Sequence, residues 1–235
     1  FMQRLTHELG LDAGFVIPAF EDVTRIIDEE QRWPENFDPL KLDLKQTDER
    51  KRVAKLIERG LGTPAGYVLP LKALPPEKKC RPASADFRPR PWPLKREHLY
   101  LLPGDSPLGL RLPLASLPWV APGEQEEEIG RDPFDTPDAL PDATPKTSPK
   151  SKLKDSYDPK EIVHTALCAE VRDGVLCVFL PPVALLEDFV TLLGAIETTA
   201  NALDLPLRLE GYTPPSDPRL NEFRITPDSV VIHFN

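Results

Sequence analysis

Apolar positions in the first sixty residues recur three and four apart. Phe1, Leu5 and Leu9 share one helical face with Gly10 placed to end it, and Val23, Ile26, Ile27 and Trp33 repeat the pattern after Glu21-Asp22. A third helix is predicted behind Asp48 as N-cap, with Val53, Leu56 and Ile57 as its stripe and Gly60 at the C-cap position. From Gly66 onward the pattern shortens into extended runs, Tyr67 to Leu69, Leu99 to Leu102 and Leu108 to Leu114. The last two flank Pro103-Gly104-Asp105-Ser106-Pro107, residues suited to tight bends, so a hairpin-like β piece is expected there.

Residues 121–159 contrast with this. They hold the acidic run Glu124 to Glu128, then Pro, Asp, Thr, Ser and Lys with few large apolar groups. Such a segment buries too little surface to offset the entropy of ordering, and a disordered linker is expected.

Strands are predicted at Thr165 to Val171 and Val175 to Leu180. They are joined through Arg172-Asp173-Gly174, where Asp-Gly between apolar runs signals a hairpin. A two-residue Asp173-Gly174 loop would set Glu170 opposite Cys177 and Cys168 opposite Phe179. After Pro181-Pro182, Leu186, Phe189, Val190, Leu193, Ile196 and Ala200 recur at helical spacing, and that helix must stop before Pro206. A strand at Leu207 to Gly211 would then lie parallel through a right-handed crossover. Phe223 to Thr226 and Val230 to Phe234 read as a further hairpin. The fold class expected is α+β. Its divisions are a proline-rich helical and β-hairpin region at 1–120, the linker at 121–159, and a mixed-sheet unit at 160–235.

The 29 prolines confine long helices and central strands to a minority of the first two thirds of the chain. A net charge of -9 argues against a nucleic-acid partner, since phosphate binding needs a concentrated basic surface. No run approaches the roughly 20 consecutive apolar residues of a membrane span, and no signal sequence is visible at the N-terminus. No membrane partner is therefore expected. Cys80, Cys168 and Cys177 form no CxxC spacing, which points to reduced thiols and a cytoplasmic location. The chain opens at Phe1 inside a helical pattern and stops at Asn235 directly after an apolar run, so a piece of a longer protein is expected.

Phosphate-loop, dinucleotide, zinc-protease and serine-hydrolase motifs are absent. What remains is polar residues on strands. Glu210 alternates with Leu207 and Leu209 and projects away from the apolar face; Arg208 shares its side. Carboxylates on one sheet face suit Mg²⁺ and nucleotide phosphates, because a hard cation seeks oxygen ligands. A single strand glutamate is more often solvated or paired with an arginine such as Arg208, His233 more often a half-buried histidine than a ligand, and Cys168 and Cys177 more often core residues than nucleophiles.

Several segments in one order resemble the bacterial amidoligase family, large proteins with a transglutaminase-like domain at the N-terminus and a carboxylate-amine ligase-like domain at the C-terminus. They are Phe15 to Asp22, Glu58 to Gly62, Gly66 to Leu71, Pro103 to Pro113, Thr165 to Cys168, Arg172 to Leu176, Val178 to Pro182, Leu209 to Tyr212, Pro214-Pro215, Asp217 to Asn221 and Thr226 to Asp228. The resemblance covers nearly the whole chain except the linker and places it in the middle of such a protein, ending in the truncated start of the ligase-like domain. It implies a fold similar to glutamine synthetase and glutamate-cysteine ligase, with ATP and Mg²⁺ as cofactors. The implied partners are carboxylate and amine substrates, small molecules or peptides, and the remaining domains of the parent protein. On this resemblance Glu170 and Glu210 are candidates for metal or nucleotide, with His233 a third possible metal ligand, and Arg219 is a candidate clamp for a phosphate or carboxylate. The family's last strand in this region carries a glutamate two residues before the asparagine, where this chain has His233, and Ser229-Val230 replaces a Pro-Gly turn. Losing that carboxylate would weaken metal chemistry, and the piece alone is expected to be inactive. The rival expectation is a non-catalytic interaction or scaffold segment of a transglutaminase-like thiol peptidase or acyltransferase.

Overall fold

The computed structural model describes residues 1–22, 63–73, 87–90, 92–94, 98–118, 139–140 and 162–221, and the backbone of two short strands at 223–225 and 232–234. The helices expected at 23–33 and 48–60, almost all of 121–159, Cys80 and the side chain of His233 lie outside the described residues.

The first helix, α1 (Met2–Glu8), forms where the spacing of Phe1, Leu5 and Leu9 places it, and Gly10 at φ 68 ends it. A 3-10 turn at Ala13–Phe15, capped by the Asp12 carboxylate accepting from the Gly14 N–H, leads into β1 (Ile17–Phe20). Then follow β2 (Gly66–Ala73), β3 (Phe87–Pro89), β4 (Leu99–Tyr100), β5 (Ala166–Arg172), β6 (Val175–Leu180), α2 (Leu186–Leu203) and β7 (Leu207–Gly211). These strands form one mixed sheet in the order β4-β1-β2-β5-β6-β7, with β3 paired to the far end of β2. The antiparallel β2–β5 pairing, from Gly66↔Glu170 to Pro70↔Ala166, joins the N-terminal and C-terminal parts into a shared sheet. β8 (Phe223–Ile225) and β9 (Ile232–Phe234) pair antiparallel as a separate hairpin, as expected.

Pro70 sits inside β2, where a missing N–H should break a ladder. Leu71 donates to Thr165 on the β5 side, so the alternation turns Pro70 to the other edge. On that edge the β1 register extends from Gly66 to Val68 and the β3 register begins at Leu71, so the lost donor falls between the two.

Asp173 and Gly174 both have positive φ, 52 and 76, which matches the hairpin to the strand twist. The register is the one the loop length requires, Glu170↔Cys177 and Cys168↔Phe179. α2 carries the chain from β6 to β7, and these two strands lie parallel. The helix starts at Leu186, four residues beyond Pro182. It ends at Asp204 in a left-handed C-cap, ahead of Pro206.

Each face of the sheet is covered. Leu69, Leu71, Leu167, Ala169, Val178 and Leu180 meet Met2, Leu5 and Leu9 near α1 and Leu186, Phe189, Leu192 and Ile196 from α2. Leu5, Leu69, Leu167 and Leu192 are fully buried, each contributing about 2 kcal/mol of hydrophobic stabilisation. On the opposite face Ala19, Val68, Leu99, Ala166 and Cys168 meet Trp92, Leu101, Leu108, Leu112 and Leu117 from a covering layer of loops. The expected strand at Leu108 to Leu114 is corrected here. Two 3-10 turns, Leu108–Leu110 and Leu114–Ser116, replace it because Pro107 and Pro113 lack the N–H groups a ladder needs. Arg111 fixes this layer by donating from Nε to the Ser106 carbonyl at 2.8 Å and gripping both oxygens of Glu21.

Candidate functional site

Strand register decides which polar groups share a face. Val68, Cys168, Phe179 and Glu210 form one row across β2, β5, β6 and β7, and Gly66, Glu170, Cys177 and Arg208 form the next. Both rows face the loop layer, since Val68 and Cys168 belong to that core. Arg172, two residues beyond Glu170 on the same strand, points the same way. Glu170, Arg172, Arg208 and Glu210 therefore gather on one face around Cys177.

Glu170 and Glu210 are brought together, as their positions on strands suggested, but an arginine stands between them. Arg172 Nε lies 3.0 Å from Glu170 Oε1, and Arg172 Nη2 donates to Glu210 Oε2. Glu170 Oε1 also accepts from the Leu108 N–H at 3.0 Å, at the start of the first 3-10 turn of the loop layer. The hydrogen bond to Glu210 is the largest influence on Arg172 and raises its pKa, against an opposing effect of burial; the charges of Glu170 and Glu210 raise it further. Arginine pairing was the commoner reading of these glutamates, and Arg172, not Arg208, is the partner seen. The hint was available, because residues two apart on a strand share a face.

Close packing surrounds this charged group. Gly109 lies on the ring of Phe179, and Tyr212 meets the same ring edge-on at 6.3 Å. Burial, followed by the charge of Glu170, pushes the Cys168 thiol well above its ordinary value, so it is a poor nucleophile. Cys168 and Cys177 are both buried and free.

Arg219 joins a different group. Its Nε donates to Asp217 Oδ1 at 2.8 Å, and its Nη2 donates to Asp217 Oδ2 at 2.6 Å and Glu187 Oε1 at 3.0 Å. The hydrogen bond to Asp217 leads in raising its pKa. Glu187 belongs to the first turn of α2, which packs on the other face of the sheet. Carboxylates thus hold the fork that was expected to hold a phosphate. His233 lies on β9 opposite Arg224.

A cavity of about 760 Å³ opens beside β5, lined in part by Phe1, Val16, Tyr67, Glu170, Val171 and Leu176. Tyr67, Val171 and Leu176 place it on the helical side. Among the described residues, no group of three or more His, Cys, Asp or Glu side chains is arranged to hold a metal ion, and no helix is long and apolar enough to cross a membrane.

A family model described as "Putative amidoligase enzyme" matches residues 1–235. The chain belongs to this amidoligase family. No curated protein and no solved structure matches it.

Proposed function

We propose that this amidoligase chain is part of an ATP-dependent carboxylate-amine ligase that forms an amide or peptide bond. The observation that carries the reading is the gathering of Glu170, Arg172, Arg208 and Glu210 on one sheet face, in a chain matched along its length by an amidoligase model. In such a reaction ATP phosphorylates the acid, an amine attacks the acyl carbon, and inorganic phosphate leaves. Magnesium arrives with the nucleotide and offsets charge on the transferring phosphoryl group. The likeness to glutamine synthetase-type ligases, the transglutaminase-like companion domain and the chain's place in a longer cytoplasmic protein belong to the same proposal.

Within this reading the exposed cation of the face is Arg208, which would orient an acidic substrate, while Arg172 is taken up by Glu170 and Glu210. Arg219 is an internal brace holding the segment after β7 to the start of α2. Cys168 and Cys177 are buried core thiols, and the nucleophile of the rival thiol reading would belong to the transglutaminase-like companion domain, not to these residues.

The test uses the protein containing this chain, Mg·ATP, a panel of amino acids and short acidic peptides, and hydroxylamine as the amine. Acid-dependent release of ADP and phosphate together with a hydroxamate product supports the ligase. ATP turnover indifferent to every acid, with no hydroxamate, would sink it.

A further inference from the structure

Two ionised glutamates close together on a sheet face repel one another unless a cation lies between them, and a divalent metal ion is the usual answer. Here the chain supplies its own. Glu170 and Arg172 are neighbours on one face of β5, and the parallel β6–β7 register brings Glu210 to the same side two strands away. The Glu170 side chain is 11% exposed and that of Glu210 22%, so water screens the pair incompletely. The guanidinium touches Glu170 through Nε and Glu210 through Nη2, using separate prongs of one rigid fork. Leu108 adds a backbone N–H to the same Glu170 oxygen that faces Arg172.

We propose that Arg172 is the resident counter-cation of the Glu170–Glu210 pair and holds the place a divalent metal ion would take. The wild-type pair therefore binds no Mg²⁺, and removing the guanidinium creates a divalent-cation site. A bound Mg²⁺ keeps oxygens at about 2.0–2.1 Å in a near-octahedral shell, which cannot form around a pair already bridged by a guanidinium. The bridge also ties β5 to β7 across β6. Whether the protein turns over ATP does not bear on this, because the measurements need no nucleotide.

The full chain is titrated with Mn²⁺, a Mg²⁺ analogue visible by paramagnetic resonance, and its thermal unfolding is followed with and without Mn²⁺ and Mg²⁺. Wild type and Glu210→Gln should bind Mn²⁺ equally, and neither should gain a Tm shift that depends on Glu210. Arg172→Gln should gain a Mn²⁺ site and a metal-dependent rise in Tm of several degrees, with both lost in the Arg172→Gln/Glu210→Gln double variant. Mn²⁺ bound by wild type and lost in Glu210→Gln overturns the proposal, as does a folded Arg172→Gln chain that gains no site. Should Arg172→Gln fail to fold, the comparison of wild type with Glu210→Gln decides by itself.

Discussion

The backbone N–H of Leu108 donates to the carboxylate of Glu170 at 3.0 Å, so a side chain on the sheet anchors the loop layer laid over it. Leu108 is itself almost fully buried, and its N–H has water to turn to only if the layer lifts. Glu170→Ala should therefore cost about 1–3 kcal/mol in urea unfolding. It should also speed amide exchange at Leu108. Glu170→Gln keeps an oxygen for that N–H but loses the charge facing Arg172, so it should cost less and leave the exchange slow. Unchanged exchange at Leu108 in the alanine variant would count against the anchor.

Gly109 is required by the ring beneath it. A Cβ built there would overlap Phe179 Cδ1, Cγ and Cε1, and Phe179 is also met by Tyr212. Gly109→Ala should lower stability by about 1–3 kcal/mol through overpacking. Restoring room with Phe179→Leu in the same chain should recover part of the loss, a non-additivity readable in a double-mutant cycle. Simple additivity of the two changes would mean that the contact does not set the cost.

Stability should fall in alkali because of Cys168. Burial and the Glu170 charge hold its folded-state pKa above the ordinary thiol value near 9. Below that value both folded and unfolded chains keep the proton, and Cys168 has no effect on the pH slope. Above it the unfolded chain loses the proton first, so folding weakens by up to about 1.4 kcal/mol per pH unit. Urea unfolding of wild type and Cys168→Ala from neutral pH to pH ~10 checks this, and the variant should show the shallower alkaline slope. Parallel slopes would remove Cys168 as the cause.

Local chemistry made much of the architecture readable. Asp173-Gly174 demands positive φ twice in succession, and only one hairpin register satisfies that turn between flanking strands of this length. The spacing of Leu186, Phe189 and Ile196 set a helix, Pro206 limited it, and its length imposed a parallel return. The region from Leu108 to Leu114 misled because its leucines alternate as a half-buried strand would. Backbone donors missing at Pro107 and Pro113, together with the hold of Arg111 on Ser106 and Glu21, bend it into 3-10 turns instead. Glu21 and Arg111 are far apart in sequence, and no periodicity connects them.

By itself the sequence determined the β5–β6 hairpin, the crossover through α2, the helical start and the family to which the chain belongs. Each of these rests on interactions between residues close in the chain or on motifs in fixed order. Tertiary structure alone decided that β2 pairs with β5, which makes a shared sheet of parts separated by residues 74–165. It also decided that Glu170 and Glu210 meet around Arg172, while Arg219 turns to Asp217 and Glu187. The physical reason is that a charged side chain pairs with whichever opposite charge the packed backbone brings within a few ångströms, and strand register across three strands is set by burial of the whole sheet.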